Sequence, residues 1–172
     1  MPENFHRNGY SYIIRSLTPS DEVFLWEILY QALYVPQGAK PLPKEIIYRP
    51  ELSKYVEDWQ TDDIGFVAVL EFSLIPIGAV WIRLFNSQNQ GYGYINDETP
   101  ELSIAVLPEY RKRGIGTQLI VHLLDSIKNL YPAISLSVSL ENPALILYQR
   151  LGFEIVGQSN DSLTMKKQLK TS

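Results

Sequence analysis

ELSIAVLPEYRKRGIGTQLIVHLLDSIKN, Glu101–Asn129, changes its hydrophobic period part-way along, and that change decides the fold. From Glu101 to Leu107, the apolar Leu102, Ile104 and Val106 alternate with Glu101, Ser103 and Ala105, the period-two pattern of a strand. Pro108 ends it. Beyond Arg113, Ile115, Leu119, Leu123 and Ile127 recur at four-residue intervals, flanked by Ile120 and Leu124, with Gln118, His122, Asp125 and Asn129 opposite. This spacing predicts an amphipathic helix.

The joint between the two elements carries the chemistry. Arg111, Lys112, Arg113, Gly114, Ile115 and Gly116 put three cations and two glycines where a helix begins. The first backbone N–H groups of a helix have no intrahelical acceptor, and the helix dipole favours an anion there by about 0.3–1 kcal/mol, up to about 2 when partly buried. Glycine lets a phosphate approach the backbone, so a pyrophosphate fits. The spacing is not that of a P-loop, and it lacks the first glycine of a dinucleotide fingerprint. A turn that merely caps the helix is the alternative.

Arg-x-x-Gly-x-Gly, preceded by Ala-Val-x-Pro-Glu-Tyr and followed by an amphipathic helix, resembles the acyl-coenzyme A signature of the GNAT N-acetyltransferase superfamily. Glu141-Asn142-Pro143-Ala144, Tyr148 and Leu151-Gly152-Phe153 resemble that family's next motif. The two motifs cover roughly the C-terminal third of the chain, and outside them the likeness is architectural. The resemblance implies a mixed α/β fold with a mostly antiparallel central sheet flanked by helices. It also implies acetyl-coenzyme A as cosubstrate.

Composition sets the outer bounds. At 172 residues the chain is long enough to bury about two-thirds of its unfolded surface as one domain, read here as residues 10–170 behind a flexible lead at 1–9. No cysteine is present, which removes a disulfide framework, a thiolate nucleophile and a cysteine metal cluster. His6 and His122 stand apart in sequence and cannot make a metal site alone, so no metal is expected, and both read as solvated. A net charge of −4 argues against general nucleic-acid binding, although the basic turn can hold a small polyphosphate. Without an apolar leader or a spanning run, the chain reads as cytoplasmic, with no membrane partner.

In chain order, Tyr12-Ile13-Ile14 marks a first strand and Thr18-Pro19-Ser20-Asp21-Glu22 a helix start. That helix is expected to run to about Leu33, with Val23, Trp26, Leu29, Tyr30 and Leu33 inward. Pro36, Gly38, Pro41 and Pro43 break the next stretch into loop. A short helix is expected over Glu51–Trp59. Gly65–Glu71 and Ile75–Phe85 read as an antiparallel hairpin, followed by the polar, glycine-bearing loop Asn86–Tyr94. Ile134–Leu140 alternates as a strand, and Asn142 can cap a helix with Pro143 first and Gly152 just past its end. A final hairpin spans Phe153–Val156 and Ser162–Leu169. There are no repeats and no interdomain linker.

The resemblance assigns roles residue by residue. Ile104, Ala105 and Val106 would bind the pantetheine arm through backbone groups, as would the strand region near Ser137–Leu140. The Val106 N–H would polarise the thioester carbonyl, with an ordinary sheet bond as the alternative. Arg111, Lys112, Arg113, Gly114, Ile115, Gly116 and Thr117 would hold the diphosphate, and Asn142 would contact the same cosubstrate. Tyr148 would also touch it and serve as general acid toward the departing thiolate, because a phenol of reference pKa about 10 is protonated near neutrality. Packing is the alternative for Tyr148, helix capping for Asn142.

An amine acceptor must lose a proton to attack. Glu101, at the start of the central strand, is the candidate base; a solvated carboxylate after Pro100 is the alternative. Glu27, Asp97 and Glu98 are weaker candidates for attracting a cation. Tyr34, Tyr48, Tyr55 and Trp59 are candidates for the acceptor wall, with core packing as the other reading. The expectation is direct acetyl transfer to a primary amine of a small molecule or peptide, which the absence of cysteine suits. The rivals are a non-catalytic acyl-coenzyme A sensor and an interaction module. A homodimer is common in the resembled family, and nothing in the sequence marks its interface.

Overall fold

In the computed structural model, which describes residues 3–7 and 10–169, the elements follow the hydrophobic periods closely. Strands β1 (Glu3–Arg7) and β2 (Tyr10–Ser16) lead to helix α1 (Glu22–Ala32), the short helix α2 (Pro50–Ser53), and strands β3 (Gly65–Leu70), β4 (Pro76–Arg83) and β5 (Glu101–Val106). Helix α3 (Ile115–Ile127), strand β6 (Ala133–Ser139), helix α4 (Ala144–Arg150) and strands β7 (Glu154–Ser159) and β8 (Ser162–Gln168) complete the chain. The mixed α/β class, with a mostly antiparallel sheet and helices, is as expected. Among the described residues no helix is long and apolar enough to cross a membrane.

The described residues divide into two compact units. One comprises the chain up to Leu33, Pro43–Trp81 and Ser103–Leu123; the other comprises Tyr34–Leu42, Ile82–Leu102 and everything from Leu124 onward. In the first, the strand order is β1-β2-β3-β4-β5. β2 pairs antiparallel with both β1 and β3, and β3 with β4 across a bulge at Ala68/Val69. At Gly78 β4 lies close against β5: a methyl group built on it would lie 3.1 Å from the Ala105 carbonyl oxygen. Ile115, Leu119, Ile120 and Leu123 of α3 are all buried, as the four-residue spacing predicts.

In the second unit the strand order is β5-β6-β8-β7. The parallel partnership of β5 and β6 is registered at Glu101↔Ser135, where Ser135 N–H donates to the Pro100 carbonyl at 2.9 Å. β6 pairs antiparallel with β8 along its whole length, and β7 with β8 across a bulge at Ile155/Gly157. Ala133, Ile134, Ser135 and Leu136 are all buried, so this strand is covered on both faces there despite its alternating sequence.

Several expectations need correction. Residues 3–7, read as part of a loose lead, form β1, because the edge of β2 offers it a ladder of backbone partners from Ile14 to Tyr10. The rest of the 1–9 lead lies outside the described residues. Helix α1 buries Leu25, Ile28 and Leu29, whereas Val23 is 82% exposed. EVFLWEILYQA is apolar on nearly every side, so its period cannot select the inward face. The helix expected over Glu51–Trp59 is regular only over Pro50–Ser53. Tyr55, Val56 and Trp59 are nonetheless buried, and the Tyr55 carbonyl accepts the Trp81 indole N–H at 2.8 Å. His122, read as solvated, is partly buried, its ring edge-on to Phe66 at 4.5 Å between centroids.

Candidate active site

The first unit supplies the turn. After β5 the chain makes a short 3-10 turn over Pro108–Tyr110, then passes through Lys112 at φ +61° and Gly114 at φ +83° before α3 starts at Ile115. Left-handed backbone is ordinary for glycine but costs a lysine about 1–2 kcal/mol. Such turns direct successive N–H groups into one concavity that suits an anion. The first intrahelical bond runs from Gln118 N–H to the Gly114 carbonyl at 3.1 Å. The N–H groups of Ile115, Gly116 and Thr117 therefore precede the regular ladder, at the positive end of the dipole.

Gly116 separates the capping alternative from the ligand reading. A methyl group built there would meet only Ile104 Cδ1 and Val106 Cγ2, both at 3.9 Å, which is ordinary contact, and its φ is not positive. Packing does not demand glycine at this position. Gly116→Ala should therefore keep the fold and, by helix propensity, add up to about 1 kcal/mol of stability. If the N–H groups receive a diphosphate, the same methyl group weakens coenzyme A binding by about tenfold or more. Calorimetric titration alongside thermal melting measures both, and an alanine variant that binds as the parent does would favour the capping role.

The basic side chains of the turn are not equivalent. The Arg111 Nε–H donates to the Val106 carbonyl at 2.8 Å, and its Nη2 to Gln31 Oε1 at 3.2 Å. Arg113 Nη2 reaches the Glu109 carbonyl at 3.4 Å; Arg111 and Lys112 are both exposed, and Arg113 is partly buried. Glu27, a weak candidate for attracting a cation, accepts from Gln31 Nε2 at 2.9 Å. Neither Gln31 nor its link to Arg111 had a local signal, since the two are 80 residues apart.

The second unit holds the candidate acid and base. Glu101 is 4% exposed, which excludes the solvated alternative, and its Oε1 accepts the Gly93 N–H at 2.9 Å. The glycine-bearing loop before β5 thus covers the carboxylate, and Gly93 is the neighbour that sequence reasoning did not single out. Its only signal was glycine density in a long loop. Asp97, by contrast, accepts a short hydrogen bond from the Tyr94 hydroxyl, and Glu98 is exposed.

Tyr148 lies on α4, 9% exposed, with its ring tilted against Phe153 at 6.1 Å. Burial pushes its phenol up to about 12, so the hydroxyl is protonated throughout the neutral range. Asn142 Oδ1 accepts the Ala144 N–H at 2.9 Å, so the expected capping bond is present, with the helix starting one residue later than Pro143. Of the acceptor-wall candidates, Tyr48 is exposed, its ring tilted against Trp26 at 5.3 Å between centroids; Tyr55 and Trp59 are core. Among the described residues no cluster of three or more His, Cys, Asp or Glu could hold a metal.

The predicted residues thus fall into two sets. Ile104–Thr117 form a continuous strand-turn-helix in the first unit, and Glu101, Asn142 and Tyr148 belong to the second.

Similarity to known proteins agrees with that strand-turn-helix. An N-alpha-acetyltransferase 50 from Danio rerio is 36% identical over 98 residues, which is 55% of this chain and 55% of that protein. An N-alpha-acetyltransferase from Saccharolobus solfataricus is 48% identical over 58 residues, covering 32% of this chain and 35% of its own. The chain spans about half or less of the length of these curated relatives. A solved structure described as a putative acetyltransferase from Salmonella typhimurium with its cofactor acetyl-CoA has the same fold, at a TM-score of 0.65 and 20% identity over 94% of this chain and 95% of that one. Residues 61–155, more than half the chain and including both motifs through Phe153, match the model of the acetyltransferase (GNAT) domain, and by that match the chain belongs to the GNAT acetyltransferase family.

Proposed function

We propose that this protein is an acetyl-coenzyme A-dependent N-acetyltransferase that transfers the acetyl group directly to a primary amine. The observation that carries the reading is the Gly114–Thr117 turn, whose second glycine is not required by packing and whose N–H groups lead a helix. There the backbone N–H groups of 114–117, with Lys112, would take the diphosphate, and the strand edge at Ile104–Val106 would take the pantetheine amides. The Val106 N–H would polarise the thioester carbonyl, Glu101 would accept the amine proton directly or through water, and Tyr148 would donate to the leaving sulfur.

Relatives named for N-alpha acetylation support an α-amine as acceptor. The acid–base chemistry agrees. An α-amine of pKa about 7.7–8.0 costs about 1 kcal/mol to deprotonate at pH 7, whereas a lysine amine of about 10.4 costs about 4–5 kcal/mol. A single buried carboxylate suffices for the first. Thiol release from acetyl-coenzyme A tests this across peptides with free N-termini, the same peptides N-terminally blocked but bearing lysine, and polyamines. Release confined to free N-termini is the expected result. Release with polyamines or blocked lysine peptides would move the acceptor class. Binding of acetyl-coenzyme A with no release from any amine would favour the sensing alternative.

A further inference from the structure

Arg111 lies in the basic turn, yet its guanidinium is turned onto protein. Besides its bond to the Val106 carbonyl at 2.8 Å, it reaches both oxygens of Gln31, Oε1 at 3.2 Å and the main-chain carbonyl at 3.4 Å. Gln31 lies in the last turn of α1, where helix carbonyls have no intrahelical donor and a cation is favoured by the dipole. Gln31 is oriented in turn by its Nε2 bond to Glu27 Oε1, one helical turn back, at 2.9 Å. Only a planar fork with donors on both Nε and Nη2 can span these two elements at once.

The peptide joining Val106 to Leu107 is consequently held at both ends. Its carbonyl accepts from Arg111, and its N–H, that of Leu107, donates to the Ile77 carbonyl at 2.8 Å. Hydrogen bonds on both sides restrain this peptide plane and with it ψ of Val106, which limits how the adjoining plane, the one that carries the Val106 N–H, can be set against it.

We propose that Gln31 and Arg111 form a positioning strap that orients the Val106 N–H for acetyl transfer, so that Arg111 governs turnover and not affinity for the diphosphate. The proposal rests on the reading that this N–H polarises the thioester carbonyl. It places the work of the first arginine of the Arg-x-x-Gly-x-Gly turn in geometry, and it links the end of α1 to the reacting strand.

The test compares Arg111→Lys, Arg111→Gln and Gln31→Met with the parent protein, titrating coenzyme A by calorimetry and assaying acetyl transfer at saturating acetyl-coenzyme A. Lysine keeps the charge but cannot bond both partners. The expected result is that both Arg111 variants lose about tenfold or more in kcat while the coenzyme A Kd stays within about threefold. Gln31→Met should lose kcat by a few-fold in the same pattern. A lysine variant that works as the parent does, with a glutamine variant that loses affinity, would overturn the strap in favour of a plain charge contact.

A second measurement needs no cosubstrate. Arg111 and Arg150 are both exposed, but the Arg111 Nε–H is bonded to the Val106 carbonyl, so it should exchange with solvent more slowly than that of Arg150, and faster once Gln31 is methionine. Equal exchange of Arg111 and Arg150 in the parent overturns the strap whatever the kinetics show. If the parent protein neither binds coenzyme A nor transfers acetyl while the Nε–H remains protected, the transferase reading fails and the strap survives as a structural link only.

Discussion

Replacing Tyr148 with phenylalanine is expected to lower kcat for acetyl transfer by about 10²-fold, near 2.7 kcal/mol in the barrier, and to leave coenzyme A affinity within about twofold. The phenol is buried, and burial pushes its pKa up to about 12. Complete transfer of its proton to a thiolate of pKa about 8.5 would be uphill by about 5 kcal/mol, so in the proposed role the hydroxyl would act as a hydrogen-bond donor to charge growing on sulfur. The phenylalanine ring keeps the contact with Phe153, and the variant should melt close to the parent temperature. Retained kcat in the variant would assign Tyr148 to packing.

The same pKa makes a prediction that does not depend on activity. The group is raised in the folded state, so its contribution to stability is fully present below the unfolded value of about 10 and is lost as pH rises toward about 12. Two pKa units correspond to about 2.7 kcal/mol. Denaturant titrations of the parent should therefore lose stability between pH 10 and pH 12, and Tyr148→Phe should reduce that loss by an amount of this order. The activity profile should show no alkaline limb attributable to this residue below about pH 11.

Gly93→Ala is expected to be the most damaging change to the fold near the site. A methyl group at Gly93 would lie 2.8 Å from the Leu136 carbonyl carbon, 3.0 Å from the Ser137 nitrogen and 3.1 Å from Glu101 Cδ. Two of those atoms are backbone of β6, which is fixed by its pairs Leu136↔Met165 and Ser137↔Thr164 and cannot step aside. Overpacking of this kind costs about 1–3 kcal/mol, and rigid backbone neighbours favour the upper end. At this chain length that is a fall of roughly 6–12 °C in Tm. The loop would also carry the Gly93 N–H away from Glu101, so kcat should fall further than stability explains at permissive temperature.

Glu101→Gln separates these effects, because the amide oxygen still accepts the Gly93 N–H while the negative charge is gone. Full stability with reduced turnover would mark the carboxylate as the base. Unchanged turnover in Glu101→Gln would make the buried carboxylate a structural clasp for the loop.

How far these residues could be read without coordinates depended on the range of the interaction that places them. The switch from alternation at Leu102, Ile104 and Val106 to four-residue spacing at Ile115, Leu119 and Leu123 is local, and β5, the turn and α3 form where it predicts. Breakers act locally too: Pro108 ends a strand, and Gly114 takes the positive φ that a turn into α3 requires. The Asn142 cap belongs to the same class.

The inward face of α1 was beyond that reach, since a helix apolar all round is oriented only by what packs on it. The burial of Glu101 came from Gly93, eight residues earlier, through a loop whose path no periodicity encodes. The partner of Arg111 came from 80 residues away. By itself the sequence determined the elements, their order and the chemistry of the turn, because backbone propensity and hydrophobic period act over a few residues. Tertiary structure alone decided which polar groups are buried and what each one touches, because those depend on contacts between segments that the chain keeps far apart.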